Sequence, residues 1–512
     1  MKILLILPRL KLENAVPQYN YTFPLGIGYI SAVMKKAGYD VTCLNLNHED
    51  GDIKNILKVE LAQQNYDVVA TGHIWHGYNV AKEIINSVRM FSNKSKIILG
   101  GALVTSEPEL VMNELKVDYG IIGEGEVTIL ELLECIEQKN DPQLVDGIIY
   151  FDDENKLITT NKRELITDLD SLPYPDFDSF DYDKYLDEMY PNQIYINNLN
   201  DYPRAYVILA SRGCPFQCTF CYHSLGRYRE RSVKNVLEEI RWAVKKYKIN
   251  VLTVNDDTFG INKKWLNEFC DGMKKLNDET PWNINWSCQM VVSSVTEDSL
   301  RRLKEAGCFV ISYGFESYSA EVLKSMKKPA TPEQIDYALK KTWEAGIAVQ
   351  GNFLFGDPAE TEKTAQQTFN YWTEECQGQI QLTFVQPYAG SKIYEQCLKK
   401  GLITDKVDYM SRACVQKEVW FNMTDKMTNN EVTWMKNTAL NLRASGHCRV
   451  AIPKFIGPWS KENRWIITVE CPFCQKNSTY RNYYFNQRTF YKDYMCCRKC
   501  HMRFYVLRPQ PY

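Results

Sequence analysis

The chain has 512 residues, 45% of them hydrophobic and 24% charged. That is ordinary globular composition, long enough for roughly two to four domains, each with its own core. A net charge of −2 gives no electrostatic reason to expect a nucleic-acid-binding protein, and no run of about 18 apolar residues offers a membrane span.

The opening stretch, MKILLILPRL, has an apolar run that stops at Leu7, before Pro8 and Arg9. It is too short for the apolar region of a signal peptide and predicts a buried first strand in a cytoplasmic protein. From there to about Gln138 strand and helix alternate. KILLIL, YDVTCLNLN, YDVVATG, SKIILGG and VDYGIIG read as strands, and PLGIGYISAVMKKAG as a helix closed by Gly38. This alternation predicts a Rossmann-like parallel sheet with helices on both faces and ligands beyond the carboxyl ends of its strands. GIIYFDDENKLITT reads as a hairpin. LDSLPYPDFDSFDYDKYLDEMYPN, rich in Asp, Tyr and Pro and without a period, reads as a linker.

A second alternating run begins at Ala205 with AYVILAS and continues through NVLTVND, INWSCQM, CFVISYGFES, IAVQGNFLFG and IQLTFVQP. These βα units fall short of a closed eight-fold barrel and predict a partial, open (β/α)6 TIM-like barrel. TNNEVTWMKNTALNLRAS reads as a helix, and the segment from about Trp465 is aromatic, basic and cysteine-rich. The expected fold class is α/β, in this order: front domain 1–145, hairpin and linker 146–203, barrel 204–402, helical extension 403–464, and a small module 465–512.

Of the 17 cysteines, ten are scattered and read as small buried hydrophobes of a reduced compartment. The other seven form two tight groups. SRGCPFQCTFCYHS places Cys214, Cys218 and Cys221 at C-x3-C-x2-C, a pattern that chance supplies roughly 0.02 times at this composition. The loop follows the first barrel strand, on the face where barrel enzymes keep their active sites. Cysteine thiolates hold iron–sulfur clusters, normally four to a 4Fe-4S cube. Three cysteines leave one iron open to a substrate or cofactor. The structural alternatives are a zinc site completed by His223, or a disulfide with a free thiol; spacing and position favour the cluster.

This loop resembles the signature of the radical S-adenosylmethionine (SAM) superfamily, C-x3-C-x-aromatic-C, with Phe220 in the aromatic place. The resemblance implies that the open iron chelates the amino and carboxylate groups of SAM. It implies that the reduced cluster splits SAM to methionine and a 5′-deoxyadenosyl radical, which abstracts hydrogen from an unactivated carbon. It also implies an external electron donor such as flavodoxin or ferredoxin, and names no catalytic side chain. Four further stretches line up in order. VNDDTF, with Asp256 and Asp257, resembles the place that receives the SAM amino group, and YGFES, with Glu316, the place that meets the ribose. GNFLFGDPAET, with Gly356, resembles the stretch near the adenine, and QPYAGSKIY the Pro-Gly turn of the sixth strand. Taken singly, Glu316 could be a helix cap and Gly356-Asp357-Pro358 a plain turn. The order of all five carries the resemblance, from about Ala205 to Gly401.

The front domain resembles the cobalamin (B12)-binding domain that precedes one subgroup of that superfamily. The matching stretches are PLGIGYISAVMKKAGYDV, GGALVTSEPE, GIIGEGEVTILELL and the linker LPYPDFD. Gly100, Gly101, Gly123 and Gly125 are then the turns whose backbone comes close to the ligand. Many B12 proteins carry D-x-H-x-x-G after the first strand, with a histidine that ligates cobalt from below. Here PRLKLENAVPQY stands in that place without a histidine, so the lower ligand is open. His73, Trp75 and His76 in GHIWHGY are candidates to cover or ligate the lower face, although a histidine there is more often structural. The rival front domain, that of methylthiotransferases, needs three cysteines, and only Cys43 and Cys135 are present.

ECPFCQ and CCRKCH place Cys471, Cys474, Cys497 and Cys500 as two C-x2-C pairs, the pattern of a zinc ribbon, with Cys496 and His501 as alternative ligands. The bland reading is four unrelated thiols. Arg481, Arg488, Lys492, Arg498, Lys499 and Arg503 among tyrosines suit RNA or a charged partner, and equally a solvated small module. Together the resemblances imply a cobalamin-dependent radical SAM enzyme with a 4Fe-4S cluster, SAM, cobalamin and zinc. Methyl transfer is the commonest outcome in that subgroup. A cyclase or ring-rearranging enzyme, an RNA- or protein-modifying enzyme that recognises its target through the ribbon, and a metal-binding scaffold without radical chemistry are the other readings. The substrate is unknown, because loops shape its pocket.

Overall fold

The computed structural model describes residues 1–10, 21–188, 199–222, 226–413, 421–444, 449–458, 464–483 and 492–507. They group into two units: Met1–Glu188 with Cys221–Arg231 and Pro387–Phe421, and Met189–Phe220 with Ser232–Gln386 and Asn422–Tyr512. Among the described residues no helix is long and apolar enough to cross a membrane.

The first unit is built on seven strands: β1 (Lys2–Leu7), β2 (Asp40–Asn45), β3 (Val68–Gly72), β4 (Lys96–Gly100), β5 (Tyr119–Ile121), β6 (Ile148–Phe151) and β7 (Leu157–Thr159). Their order is β2-β1-β3-β4-β5-β6-β7. The first five are parallel; β6 and β7, the predicted hairpin, add antiparallel at one edge. β1 is apolar and buried from Ile3 to Leu7, as a strand covered on both faces must be. The order reverses between β1 and β3, so a crevice opens beyond their carboxyl ends. The GHIWHGY stretch leaves β3 at that crevice. The predicted first helix runs from Leu25 to Lys36, and Gly38 follows it at φ +90°, a conformation that costs glycine nothing.

The segment read as a linker is ordered against this unit. It contains a short helix, Tyr182–Glu188, and its aromatic rings pack on the front domain. Phe177 lies 4.6 Å from Phe23, and Tyr185 lies 4.9 Å from Tyr21. Asp176 binds Ser31 and Lys35 of the first helix. A helix this short shows no period in sequence, so only its loop-like composition is legible there.

In the second unit β8 (Ala205–Ile208) leads into a short strand, β9 (Ser211–Arg212); β10 (Arg229–Glu230) belongs to the first unit. β11 (Val251–Val254), β12 (Asn285–Met290), β13 (Cys308–Glu316), β14 (Ala348–Phe355) and β15 (Gln381–Phe384) complete a parallel six-stranded sheet, ordered β15-β14-β13-β12-β11-β8. β8 and β15 are its two edges, so the barrel is partial. Amphipathic helices follow the strands and cover its outside; Trp286 is fully buried and donates from Nε1 to the Ala306 carbonyl at 2.8 Å.

The sequence writes the start of these helices. The helix Pro332–Glu344 opens with a reciprocal capping box. Thr331 N donates to Gln334 Oε1 (3.1 Å) and Gln334 N to Thr331 Oγ1 (3.3 Å), with Pro332 at the first helical position. Thr331→Ala is expected to lower stability by about 1 kcal/mol. Denaturant unfolding should show this as a lower midpoint with an unchanged slope.

The end of the chain forms two three-stranded sheets, β16-β21-β20 and β17-β18-β19. The strands are β16 (Val450–Ala451), β17 (Phe455–Pro458), β18 (Trp465–Glu470), β19 (Asn477–Tyr483), β20 (Lys492–Cys496) and β21 (Arg503–Leu507). They enclose a small core of Ile467, Val469, Tyr480, Met495, Phe504 and Val506. β16 and β17 lie ahead of the expected start of this module. They are too short to leave a two-residue alternation.

Candidate active site and metal centre

The cysteine loop hangs from the carboxyl end of β8, and a buried carboxylate fastens its root. Asp256, just past β11, accepts from Ala210 N at 2.8 Å and from Ser211 Oγ at 2.7 Å. Burial raises this carboxyl to about 7. Asp257 next to it is exposed, so of the two acids it is the one that faces solvent. Thr219 N donates to the Met326 carbonyl at 3.0 Å, and Cys218 Sγ lies 3.8 Å from the Lys327 carbonyl. Cys218 is buried and Cys214 half-buried. Desolvation pushes the Cys218 thiol up to about 11, while the Lys328 ammonium pulls it down. Cys221 is exposed and Phe220 half-buried. Tyr388 of the same unit as Cys221 is raised by burial and by that thiol.

Glu316 ends β13 at φ +60°, a left-handed conformation that is uncommon for a non-glycine residue and tends to persist at functional sites. Its carboxylate is buried and accepts from Lys328 Nζ at 2.8 Å. Gly314 makes room for this pair: a Cβ there would stand 2.2 Å from Glu316 Oε1 and 2.5 Å from Lys328 Nζ. Gly314→Ala should therefore displace the pair and weaken SAM binding about tenfold, roughly 1.4 kcal/mol. Anaerobic calorimetry checks this, with circular dichroism confirming the fold. Gly356 follows β14 at φ +96°, and its N–H faces buried Glu360 at 3.4 Å. The role of Lys328 leaves no trace in the sequence, because MKKP has no spacing that ties it to the cysteines; only the folded chain brings it to Cys218.

In the first unit the glycine turns gather at the carboxyl ends of β3, β4 and β5. His73 N donates to the Gly100 carbonyl (3.3 Å), and the His73 carbonyl accepts from Leu103 N (3.0 Å). Gly101 permits that approach: it has φ +85°, and a Cβ would lie 2.6 Å from the His73 carbonyl oxygen. Gly123 has the same φ and open space where a Cβ would stand, and its N–H donates to Thr105 Oγ1; Gly125 packs against Ile30. The His73 ring is buried and its Nε2 has no hydrogen-bond partner; burial lowers its pKa to about 4 and keeps it neutral. Trp75 is buried, 5.5 Å from the Tyr409 ring, and His76 lies 5.0 Å from the Tyr388 ring. Between Gly123 and Gly125, Glu124 forms a buried ion pair with Arg229 at 2.8 Å. Sequence spacing gives no signal for that pair. An uncovered glycine turn and an unpartnered buried imidazole nitrogen at the sheet's crevice fit a corrinoid, and three thiols in one short loop are the donor chemistry that an iron–sulfur cluster takes.

The third site is compact. The sulfurs of Cys471, Cys474, Cys497 and Cys500 all lie within 4.8 Å of one another. Phe473 N points at Cys471 Sγ (3.4 Å) and Lys499 N at Cys497 Sγ (3.3 Å), so two like turns present the thiols. Gln475 and His501, each following the second cysteine of its pair, share the left-handed conformation. The Cys471 and Cys500 thiols hold the Cys497 thiol far below its usual range. Four such donors could hold a tetrahedral zinc ion. Cys496 and His501 stand outside the set: Cys496 is buried, with its Sγ 3.2 Å from the His501 carbonyl, and neither joins the four grouped sulfurs.

The fold and these three sites define a class: an α/β enzyme that pairs a cobalamin-binding domain with a partial barrel carrying a three-cysteine cluster loop. Residues 208–371 match the radical SAM superfamily, and residues 16–133 match the B12 binding domain. The chain is 30% identical over 413 residues to an uncharacterized methyltransferase of Pyrococcus horikoshii, covering 79% of this chain and 84% of that one. It is 25% identical over 452 residues to the cytidylyl-2-hydroxyethylphosphonate methyltransferase of Streptomyces wedmorensis, covering 78% and 82%. Its fold is similar to that of the radical SAM methyltransferase TsrM from Kitasatospora setae with cobalamin and a 4Fe-4S cluster bound. There the TM-score is 0.63 at 18% identity, over 78% of this chain and 75% of that one. The chain belongs to the cobalamin-dependent branch of the radical SAM superfamily, the branch of these methyltransferases.

Proposed function

We propose that the enzyme methylates an unactivated carbon of its substrate in the cytoplasm, with residues 1–145 as the cobalamin-binding domain and 204–402 as the radical SAM core. The supporting observation is that one chain carries both modules and is similar along most of its length to methyltransferases. When bound, the cluster with SAM supplies a hydrogen-abstracting carbon radical, and the corrinoid supplies the methyl group. Cys214, Cys218 and Cys221 would hold the cluster, and Asp256 fixes the root of their loop. Asp257, exposed beside the loop root, would receive the SAM amino group, while Lys328 holds the Glu316 carboxylate that would meet the ribose. Gly100, Gly101, Gly123 and Gly125 would let the backbone come close to the corrinoid, and His73, Trp75 and His76 are the residues that would cover or ligate it. An external reductant such as flavodoxin or ferredoxin provides the electron.

The ribbon is a poor RNA reader on this view, because Arg498 and Arg503 bond within the protein. The test is anaerobic reconstitution with cobalamin, SAM and reductant, followed by mass spectrometry. 5′-Deoxyadenosine together with S-adenosylhomocysteine is expected. 5′-Deoxyadenosine alone would rule out methyl transfer in favour of cyclisation or rearrangement.

A further inference from the structure

The four-cysteine module has no part in the chemistry proposed above, yet it is bonded to the barrel at chosen points. Just before edge strand β8, Asp201 Oδ1 accepts from Arg481 N at 2.7 Å and from Arg498 Nη2 at 2.6 Å. The Asp201 carbonyl accepts from Asn482 Nδ2 at 2.9 Å. Just before the other edge strand, β15, Gln379 is 1% exposed and makes a two-point pair with the backbone of Arg503. Arg503 N donates to Gln379 Oε1 (2.8 Å) and Gln379 Nε2 to the Arg503 carbonyl (2.9 Å). The Arg503 guanidinium also reaches the Gly378 and Gln379 carbonyls.

Both anchors lie at the amino ends of barrel strands, opposite the ends that carry the cysteine loop. In barrels that face serves stability. β8 and β15 are the strands that no neighbour closes. An open edge leaves unpaired backbone groups and frays easily. Arg498 sits inside the second cysteine pair, and Arg503 follows it three residues after Cys500. The residues that hold both edges are therefore set by the metal-binding turn. A module with so small a core needs its ion to keep that turn in shape.

We propose that the metal centre of Cys471, Cys474, Cys497 and Cys500 is a structural clamp that joins the two edges of the open barrel. A divalent ion that prefers four thiolates, zinc above all, locks the second turn. The locked turn ties Asp201 to Gln379 and so steadies β8, the strand from which the cluster loop hangs. The clamp is independent of the methyl-transfer reading, because it is measured without turnover.

Hydrogen exchange by mass spectrometry on the full-length, anaerobically prepared protein tests it. The double variant Asp201→Ala/Gln379→Ala should keep its zinc by elemental analysis. Its exchange should be about tenfold faster in peptides covering β8 and β15 and unchanged in the central strands β12 and β13. Cys500→Ser should lose the zinc and show the same pattern. Edge-strand exchange that stays at the wild-type rate in the double variant overturns the clamp. So does zinc loss in Cys500→Ser with faster exchange confined to residues 465–507.

Discussion

Cys218→Ala protein, prepared without oxygen, is expected to lose its cluster and all SAM cleavage while keeping the fold. Cys218 is the buried member of its loop, and the chain around it is pinned to the Met326–Lys327 backbone. Alanine removes one of three thiolates and leaves the loop geometry in place. Two thiolates hold a cube poorly, so iron and sulfide content should fall with the visible absorbance. The control is Cys270→Ala. Cys270 is also buried, but in the helix Lys263–Glu279, where its thiol is raised by burial to about 12 and acts as a small hydrophobe. That variant should keep its iron and cleave SAM, with only a modest loss of stability for the vacated volume. A Cys218→Ala protein that still bound a full cluster and cleaved SAM would remove Cys218 from the cluster.

Much of this is legible in the amino-acid sequence alone. The strand–helix alternation carries both parallel sheets, because a two-residue or 3.6-residue period is a local property of the chain. The cysteine spacing carries the cluster loop and the metal module in the same way. What is not legible depends on contacts between distant residues. Lys328 meets Glu316 across twelve residues, and Gly314 matters because of where those two tips end. The aromatic strip from Phe177 to Tyr185 looks like a linker because its rings find Tyr21 and Phe23 only after folding. Asp256 and Asp257 are indistinguishable in sequence, yet one is buried against the loop root and the other faces solvent. Gln379 and Asp201 carry no motif at all. Their meaning comes from lying at the two edges of one sheet.

The larger stability effect is expected at Arg229, which leaves the cysteine-loop segment and enters the front unit. Its guanidinium and Glu124 are buried, at 7% and 2% side-chain exposure, and meet at 2.8 Å. The backbone of one residue links them further: Ile166 N donates to Glu124 Oε2 at 2.9 Å, and the Ile166 carbonyl accepts from Arg229 Nη1 at 2.6 Å. Removing one partner of such a pair leaves a buried charge without its counterion, which costs about 3–5 kcal/mol. Arg229→Met should therefore destabilise the protein by about that much, read as a lowered unfolding midpoint. Because Glu124 stands between Gly123 and Gly125, cobalamin affinity should fall with it. Replacing both partners, Glu124→Leu with Arg229→Met, removes the stranded carboxylate and should recover a large part of the lost stability. If the single variant loses less than about 1 kcal/mol, the pair is solvated and behaves like a surface bridge. If the double variant is no better than the single, the loss lies in the Ile166 contacts rather than in the charge.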